Sequence, residues 1–169
     1  MKKEYKVKLL EEKMNTKDTY LECTDLYDEN KDLTGEVIFR KKGTKLDVPK
    51  GKYIIVVLAF IENSKGEFLF QMTSKRKNNV WATTGGHVKS GQTSKEAILE
   101  EIKEELGIDI EPSEDVFYIR KDIDINKLIY ELDEVEYLTK DEIMNLINNN
   151  GNIRKTNIDA FLDIIKNNN

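Results

Sequence analysis

The sequence predicts an α/β fold, an α/β/α sandwich in which a mixed central sheet is flanked by helices. Three observations carry that expectation. Residues 53–61 read Tyr-Ile-Ile-Val-Val-Leu-Ala-Phe-Ile, too uniformly apolar for a strand with one wet face, so this strand belongs at the centre with both faces covered. Residues 67–72 return after the turn Asn63-Ser64-Lys65-Gly66 as an antiparallel partner, with Phe68 and Phe70 on one face. Residues 94–106 then read as an amphipathic helix with signals at both ends.

Composition narrows the class. A chain of 169 residues suggests a single domain, 1–169, long enough to bury a real core. Hydrophobic residues at 38% and charged residues at 35% suit a globular protein, and a net charge of −5 argues against nucleic acid or a membrane surface as the partner. Cys23 is the sole cysteine, which excludes an intrachain disulfide and fits a half-buried strand residue better than a nucleophile. The N-terminus lacks the apolar core of a signal peptide, and the longest apolar run, nine residues, falls short of the roughly 20 that a membrane span needs. A cytoplasmic protein with small or metal-bound partners is expected.

Taken in order, residues 1–19 are polar and Lys/Glu-rich, with Val7, Leu10 and Met14 at loosely helical spacing, and form an arm or a marginal helix. Residues 20–28 are strand-like; Asp28-Glu29-Asn30-Lys31-Asp32 and Thr34-Gly35 turn the chain into Val37-Ile38-Phe39, giving a hairpin. A basic loop with Pro49 and Gly51 leads to the central strand. After its partner, Lys75-Arg76-Lys77 lies in a loop that ends at Trp81, just before Thr83-Thr84-Gly85-Gly86. In the second half, residues 116–119 and 131–138 are strand-like, Thr139 with Glu142 forms a capping box for a helix to Ile147, and Thr156 caps a last helix with Phe161, Leu162 and Ile165 inward.

The helix at 94–106 is where function is expected. Thr93 can accept from the backbone N–H three residues on while Glu96 reaches back, and Gly107 stops the helix because a residue without Cβ takes the left-handed conformation cheaply. Ile98, Leu99, Ile102 and Leu106 form an apolar arc, with Glu101, Glu104 and Glu105 along its edge. No basic residue stands three or four positions from any of these three acids, whereas Lys103 can pair with Glu100. Like charges at that spacing cost about 0.2–0.5 kcal/mol per pair. Clustered hard oxygens relieved by an external cation suit Mg²⁺ or Mn²⁺.

This run resembles the signature of the Nudix family: G, five residues, E, seven residues, R-E, an aliphatic, any residue, E-E, any residue, G, an aliphatic. Gly86, Glu101, Ile102, Glu104, Glu105, Gly107 and Ile108 match at the correct spacing; Gln92 stands where the family has its first Glu and Glu100 where it has Arg. In the family those two side chains interact and hold the loop, so their joint loss bears on how Glu101 is positioned. Glu22, Asp25, Tyr27, Asp28, Asn30, Thr34 and Gly35 are similar to the opening of a branch related to isopentenyl-diphosphate isomerase, although Cys23 does not occupy that enzyme's cysteine position.

The resemblance implies a Nudix-type sandwich and a metal-dependent hydrolase cleaving a diphosphate linkage in a nucleoside diphosphate-linked or similar small molecule. Glu101 would be catalytic and a metal ligand, Glu104 and Glu105 metal ligands, and the Gly85 carbonyl a further ligand; Lys75 and Arg76 would meet the diphosphate and Trp81 stack on a base. A further acid would come from Glu131, Asp133, Glu134 or Glu136, with nothing in the sequence to choose among them. His87, at a position the family leaves open, is expected to make a loop hydrogen bond rather than act as an acid or base. Pairing through the sheet edge or the N-terminal arm would give a homodimer. The alternatives are a Nudix-like module that binds a phosphorylated ligand without hydrolysing it, and an isomerase-like enzyme.

Overall fold

A computed structural model of the protein describes residues 20–41, 44–73, 79–110, 117–128 and 134–167. By their contacts these separate into two units, one within Met1–Val56 and His87–Thr93, the other within Val57–Gly86 and Ser94–Asn169. The expected arm, residues 1–19, lies outside the described residues.

The first unit contains the expected hairpin. Strands β1 (Tyr20–Tyr27) and β2 (Leu33–Lys41) pair antiparallel. The turn is organised by Asp28, whose Oδ1 accepts from the N–H groups of Asn30 and Asp32 at 2.9 Å each, a local substitute for ladder bonds that Asp provides readily. The second strand starts at Leu33, earlier than the apolar triplet at 37–39 suggested, because pairing reaches back to Tyr27.

The second unit is built on a six-stranded mixed sheet. Strands β3 (Val56–Glu62), β4 (Phe68–Met72), β5 (Trp81–Ala82) and β6 (Thr84–His87) run in the order β5-β4-β3-β6. Strand β7 (Tyr118–Arg120) adds parallel to β3, and β8 (Glu134–Leu138) antiparallel to β4. The apolar run is central as expected from Val57 onward, but Tyr53 and Val56 are 52% and 46% exposed. Ladder pairing, not hydropathy, sets where the strand begins.

Helices cover both faces, and strand alternation shows which. Phe68 and Phe70 of β4 point one way and join Phe60, Leu138, Ile143, Ile153 and Phe161 in a cluster to which α2 (Lys140–Asn148) and α3 (Lys155–Asn167) contribute. Phe161 meets Phe68 edge-on at 5.3 Å between centroids, a favourable aromatic geometry. Gln71 of β4 points the other way, and there α1 (Ser94–Leu106) buries Ala97, Ile98, Ile102 and Leu106, with Leu99 half-buried. The α/β/α layering is thus present.

The termini of the helices mostly follow local chemistry. Thr139 and Glu142 form the expected capping box, and Gly107 ends α1 at φ 70° with its N–H on the Lys103 carbonyl. Thr156 does not cap α3. The chain before it is drawn onto β5, where Arg154 N–H donates to Trp81 O at 2.8 Å, so the helix already includes Lys155. Of the residues expected inward on α3, Phe161 is buried and Ile165 packs on the cluster, while Leu162 is half-buried.

Candidate active site

Two glycines and one strand residue seat two of the acids of α1, Glu101 and Glu105. A Cβ on Gly86 would lie 2.0 Å from Glu101 Oε1, so the Glu101 carboxylate occupies the space that a side chain there would take. Gly85 N–H donates to Glu105 Oε2 at 3.3 Å, and Gln71 Nε2 donates to the same oxygen at 2.6 Å. At Gly85 a Cβ would meet the Val57 carbonyl oxygen at 2.2 Å, which is why this position tolerates only glycine beside β3. Glu101 and Glu105 are half-buried and Glu104 is exposed.

Among the described residues, no three Asp, Glu, His or Cys side chains converge closely enough to hold an ion unaided. That geometry does not conflict with the expected cation. Mg²⁺ keeps several waters and is held by one or two carboxylates plus substrate phosphates rather than by an all-protein cage. The donor chemistry fits a hard cation: half-buried carboxylates, and beside them a buried Gln71 Oε1 with no hydrogen-bond partner. Lys103 turns away from these acids and pairs with Asp109 rather than Glu100.

In the first unit, residues 87–93 of the glycine loop are fastened to β1. His87 Nδ1 lies 2.9 Å from Glu22 Oε1, and Arg40 Nη2 donates to Glu22 Oε2 at 2.9 Å. Burial works to raise the Glu22 carboxyl, but the His87 hydrogen bond and the Arg40, His87 and Lys89 charges hold it below the ordinary glutamate value. Asp25, only 8% exposed, accepts from Ser90 Oγ at 2.9 Å and from Gly91 N–H at 3.2 Å, while Ser90 N–H donates to Cys23 O at 2.7 Å. Gln92 Oε1 accepts from Lys89 N–H at 3.2 Å, a bond inside the loop. His87 thus makes the expected loop hydrogen bond, and Glu22 and Asp25, which the sequence offers only as part of the isomerase-like opening, are what the loop is tied to.

The other expected residues fare differently. Lys75 and Arg76 lie outside the described residues, as do Glu131 and Asp133. Trp81 sits on β5 with its backbone N–H on Asn152 O at 2.7 Å, and its half-buried side chain packs against the aromatic cluster, which leaves only its exposed part for stacking. Glu134 and Glu136 pair across the ladder with Met72 and Phe70. Directly opposed residues share a face, so both acids belong to the α2/α3 side, away from the face of Gln71 and Glu105. Glu136 is exposed; what burial it has, and the charges of Glu134 and Glu142, raise its carboxyl. The residue that sequence reasoning missed is Gln71. Its signal was a lone amide among Phe68, Leu69 and Phe70.

A cleft of about 470 Å³ opens around the β3–β4 turn, lined by Glu62, Asn63, Ser64, Arg120, Lys121 and Asp122. It lies at the far end of β3 from Val57 and hence from Gly85. Three of its charged side chains are engaged: Tyr118 donates to Glu62, Arg120 Nε lies 3.4 Å from Glu62 Oε2, and the Ser64 backbone N–H holds the Asp122 carboxyl below its ordinary value. The glycine end, not this cleft, carries the carboxylates of α1.

Comparisons with known proteins bear on the family and the fold. The model of the NUDIX domain matches residues 52–155. An uncharacterised Nudix hydrolase of Listeria monocytogenes is 33% identical over 144 residues, covering 73% of this chain and 83% of the relative, and one of Listeria innocua is 32% identical over the same shares. Among solved structures, DR0079 from Deinococcus radiodurans matches in fold with a TM-score of 0.63 at 24% identity, covering 79% of this chain and 93% of that one. The MutT protein from Methanosarcina mazei Go1 gives a TM-score of 0.55 at 26% identity, covering 73% and 99%. With the glycine pair, the helix and its glutamates in place on a mixed sheet, the chain belongs to the Nudix family and is a hydrolase acting on pyrophosphate bonds.

Proposed function

We propose that the chain is a Mg²⁺- or Mn²⁺-dependent pyrophosphohydrolase that cleaves a diphosphate linkage in a nucleoside diphosphate-linked or similar small molecule. The observation that carries this reading is the seating of two half-buried carboxylates on adjacent glycines, Glu101 against Gly86 and Glu105 on the N–H of Gly85. Glu101, Glu104, Glu105 and the Gly85 carbonyl would hold the ion. Its chemistry there would be charge neutralisation at phosphate oxygens and easier deprotonation of an attacking water.

The chain's own residues do the positioning. Glu101 accepts the proton of that water or orients it, and its half-burial strengthens this interaction by excluding competing solvent. Glu105 is held by two donors, which restricts it to one orientation. Lys75 and Arg76 pair with the diphosphate oxygens, where charge-assisted hydrogen bonds are strongest.

The test is a panel of nucleoside diphosphate derivatives assayed with Mg²⁺, with release of a monophosphate product expected. Glu105→Gln removes the charge while keeping the shape. It should abolish metal-dependent turnover and leave the melting temperature nearly unchanged; turnover equal to wild type would overturn the assignment.

A further inference from the structure

Strand β4 holds one side chain that its own surroundings do not explain. Gln71 is only 4% exposed, in a strand whose neighbours Phe68, Leu69 and Phe70 are all buried, and it stands between Ala82 of β5 and Val135 of β8. A buried amide costs stability unless both of its ends are hydrogen-bonded. Here one end is not: Oε1 has no partner. For packing alone, an apolar residue of the same size would serve β4 better.

The other end is committed. Gln71 Nε2 donates to Glu105 Oε2 at 2.6 Å, and since a carboxylate needs a donor, the amide can face it only through its nitrogen. The same oxygen takes the Gly85 N–H from β6 at 3.3 Å. Two donors from two strands thus converge on one oxygen of one helix side chain. A carboxylate pinned in this way cannot swing with its three side-chain torsions, and a ligand held in place before it binds an ion loses less freedom on binding.

We propose that Gln71 is a positioning residue for the reaction: its amide nitrogen fixes the Glu105 carboxylate in the orientation in which it binds the metal ion. This rests on Glu105 being a metal ligand, as proposed above. It adds a residue outside the glycine loop and helix, supplied by the sheet. The unpartnered Oε1 is the stability cost that comes with this role.

Gln71→Met tests it, because Met keeps the volume and flexibility of the side chain and removes both polar ends. A role in folding and a role in positioning then move opposite readouts. Metal-free Q71M should melt close to the wild-type temperature, since losing the bond to Glu105 is offset by removing the unpartnered oxygen. Its Kd for Mn²⁺, measured by titration calorimetry without substrate, should rise about ten- to a hundredfold, and the Mg²⁺ concentration for half-maximal turnover should rise with it. Gln71→Asn keeps the same groups one methylene shorter, out of reach of Glu105, and should lose metal affinity likewise; it also carries the test if Q71M folds poorly. An unchanged Mn²⁺ Kd in both variants, or a fall in melting temperature without a change in Kd, would overturn the proposal. Glu105→Gln serves as the control: if it too leaves the Mn²⁺ Kd unchanged, the metal-ligand reading of Glu105 fails, whereas loss in E105Q with none in Q71M and Q71N refutes only the role of Gln71.

Discussion

The two faces of the central sheet are covered by helices of similar build but put to different uses. On the α2/α3 face, Phe60, Phe68, Phe70, Ile143 and Phe161 are 0–1% exposed and interlock as aromatic and aliphatic core. On the α1 face, Ile98, Ile102 and Leu106 are as deeply buried, yet Glu101 and Glu105 stand half-buried beside them and Gln71 lies beneath. One strand serves both sides, because successive residues of β4 alternate. The lesson is that the apolar content of a helix does not reveal its purpose; the polar groups that the sheet presents to it do.

The contrast can be broken at several points, which differ in size. The largest expected effect is on the aromatic face: Phe161→Ala leaves a cavity against Phe60 and Phe68 and should cost about 3–5 kcal/mol in urea unfolding. Next comes the other face, where Gly86→Ala would put a methyl 2.0 Å from Glu101 Oε1. The atom it meets is the end of a flexible side chain, so the fold should survive, whereas turnover should fall about a hundredfold from misplacement of the carboxylate. An equal loss of stability and activity in that variant would mean that Glu101 is structural.

Smaller still is the cap of α2. Backbone and side-chain hydrogen bonds from Thr139 hold the Glu142 carboxyl below its ordinary value. A depressed folded-state pKa contributes stability above the unfolded pKa, which is lost as pH falls through the folded one. Thr139→Ala should therefore lower the melting temperature by about 2–4 °C at neutral pH. The gap between variant and wild type should narrow as pH drops below about 4 but not vanish, because Thr139 Oγ1 still accepts from Glu142 N–H when the carboxyl is protonated. The smallest effect expected is none: Glu136→Gln, on the α2/α3 face, should leave kcat and metal requirement as they are. A loss comparable to that of Glu105→Gln would show that the face assignment of β8 is wrong.

Much of the site was legible in order along the chain. Helix α1 begins at Ser94 and ends before Gly107 as the cap and stop residues imply, since such signals act over three or four residues. The resemblance to the family was legible because the acids and glycines that carry it lie in one contiguous run. What misled was equally local. Tyr53 looked like strand core yet is exposed, and Thr156 looked like a cap although Arg154 was already drawn onto β5. Glu134 and Glu136 could not be sorted from sequence, since the face on which a strand residue stands depends on its register with a partner.

The sequence by itself therefore determined the resemblance to the family, the helix and the carboxylates that chemistry needs, because all of these are written in one contiguous run, Gly86 to Ile108. Only the tertiary structure decided that Asp25 and Glu22 tie down the glycine loop, that β8 keeps its acids off the face of Glu105, and that Gln71 holds Glu105 from the strand beneath it. The reason is physical. A hydrogen bond between residues 34 positions apart depends on pleat, register and packing together, and none of these leaves a mark on either residue alone.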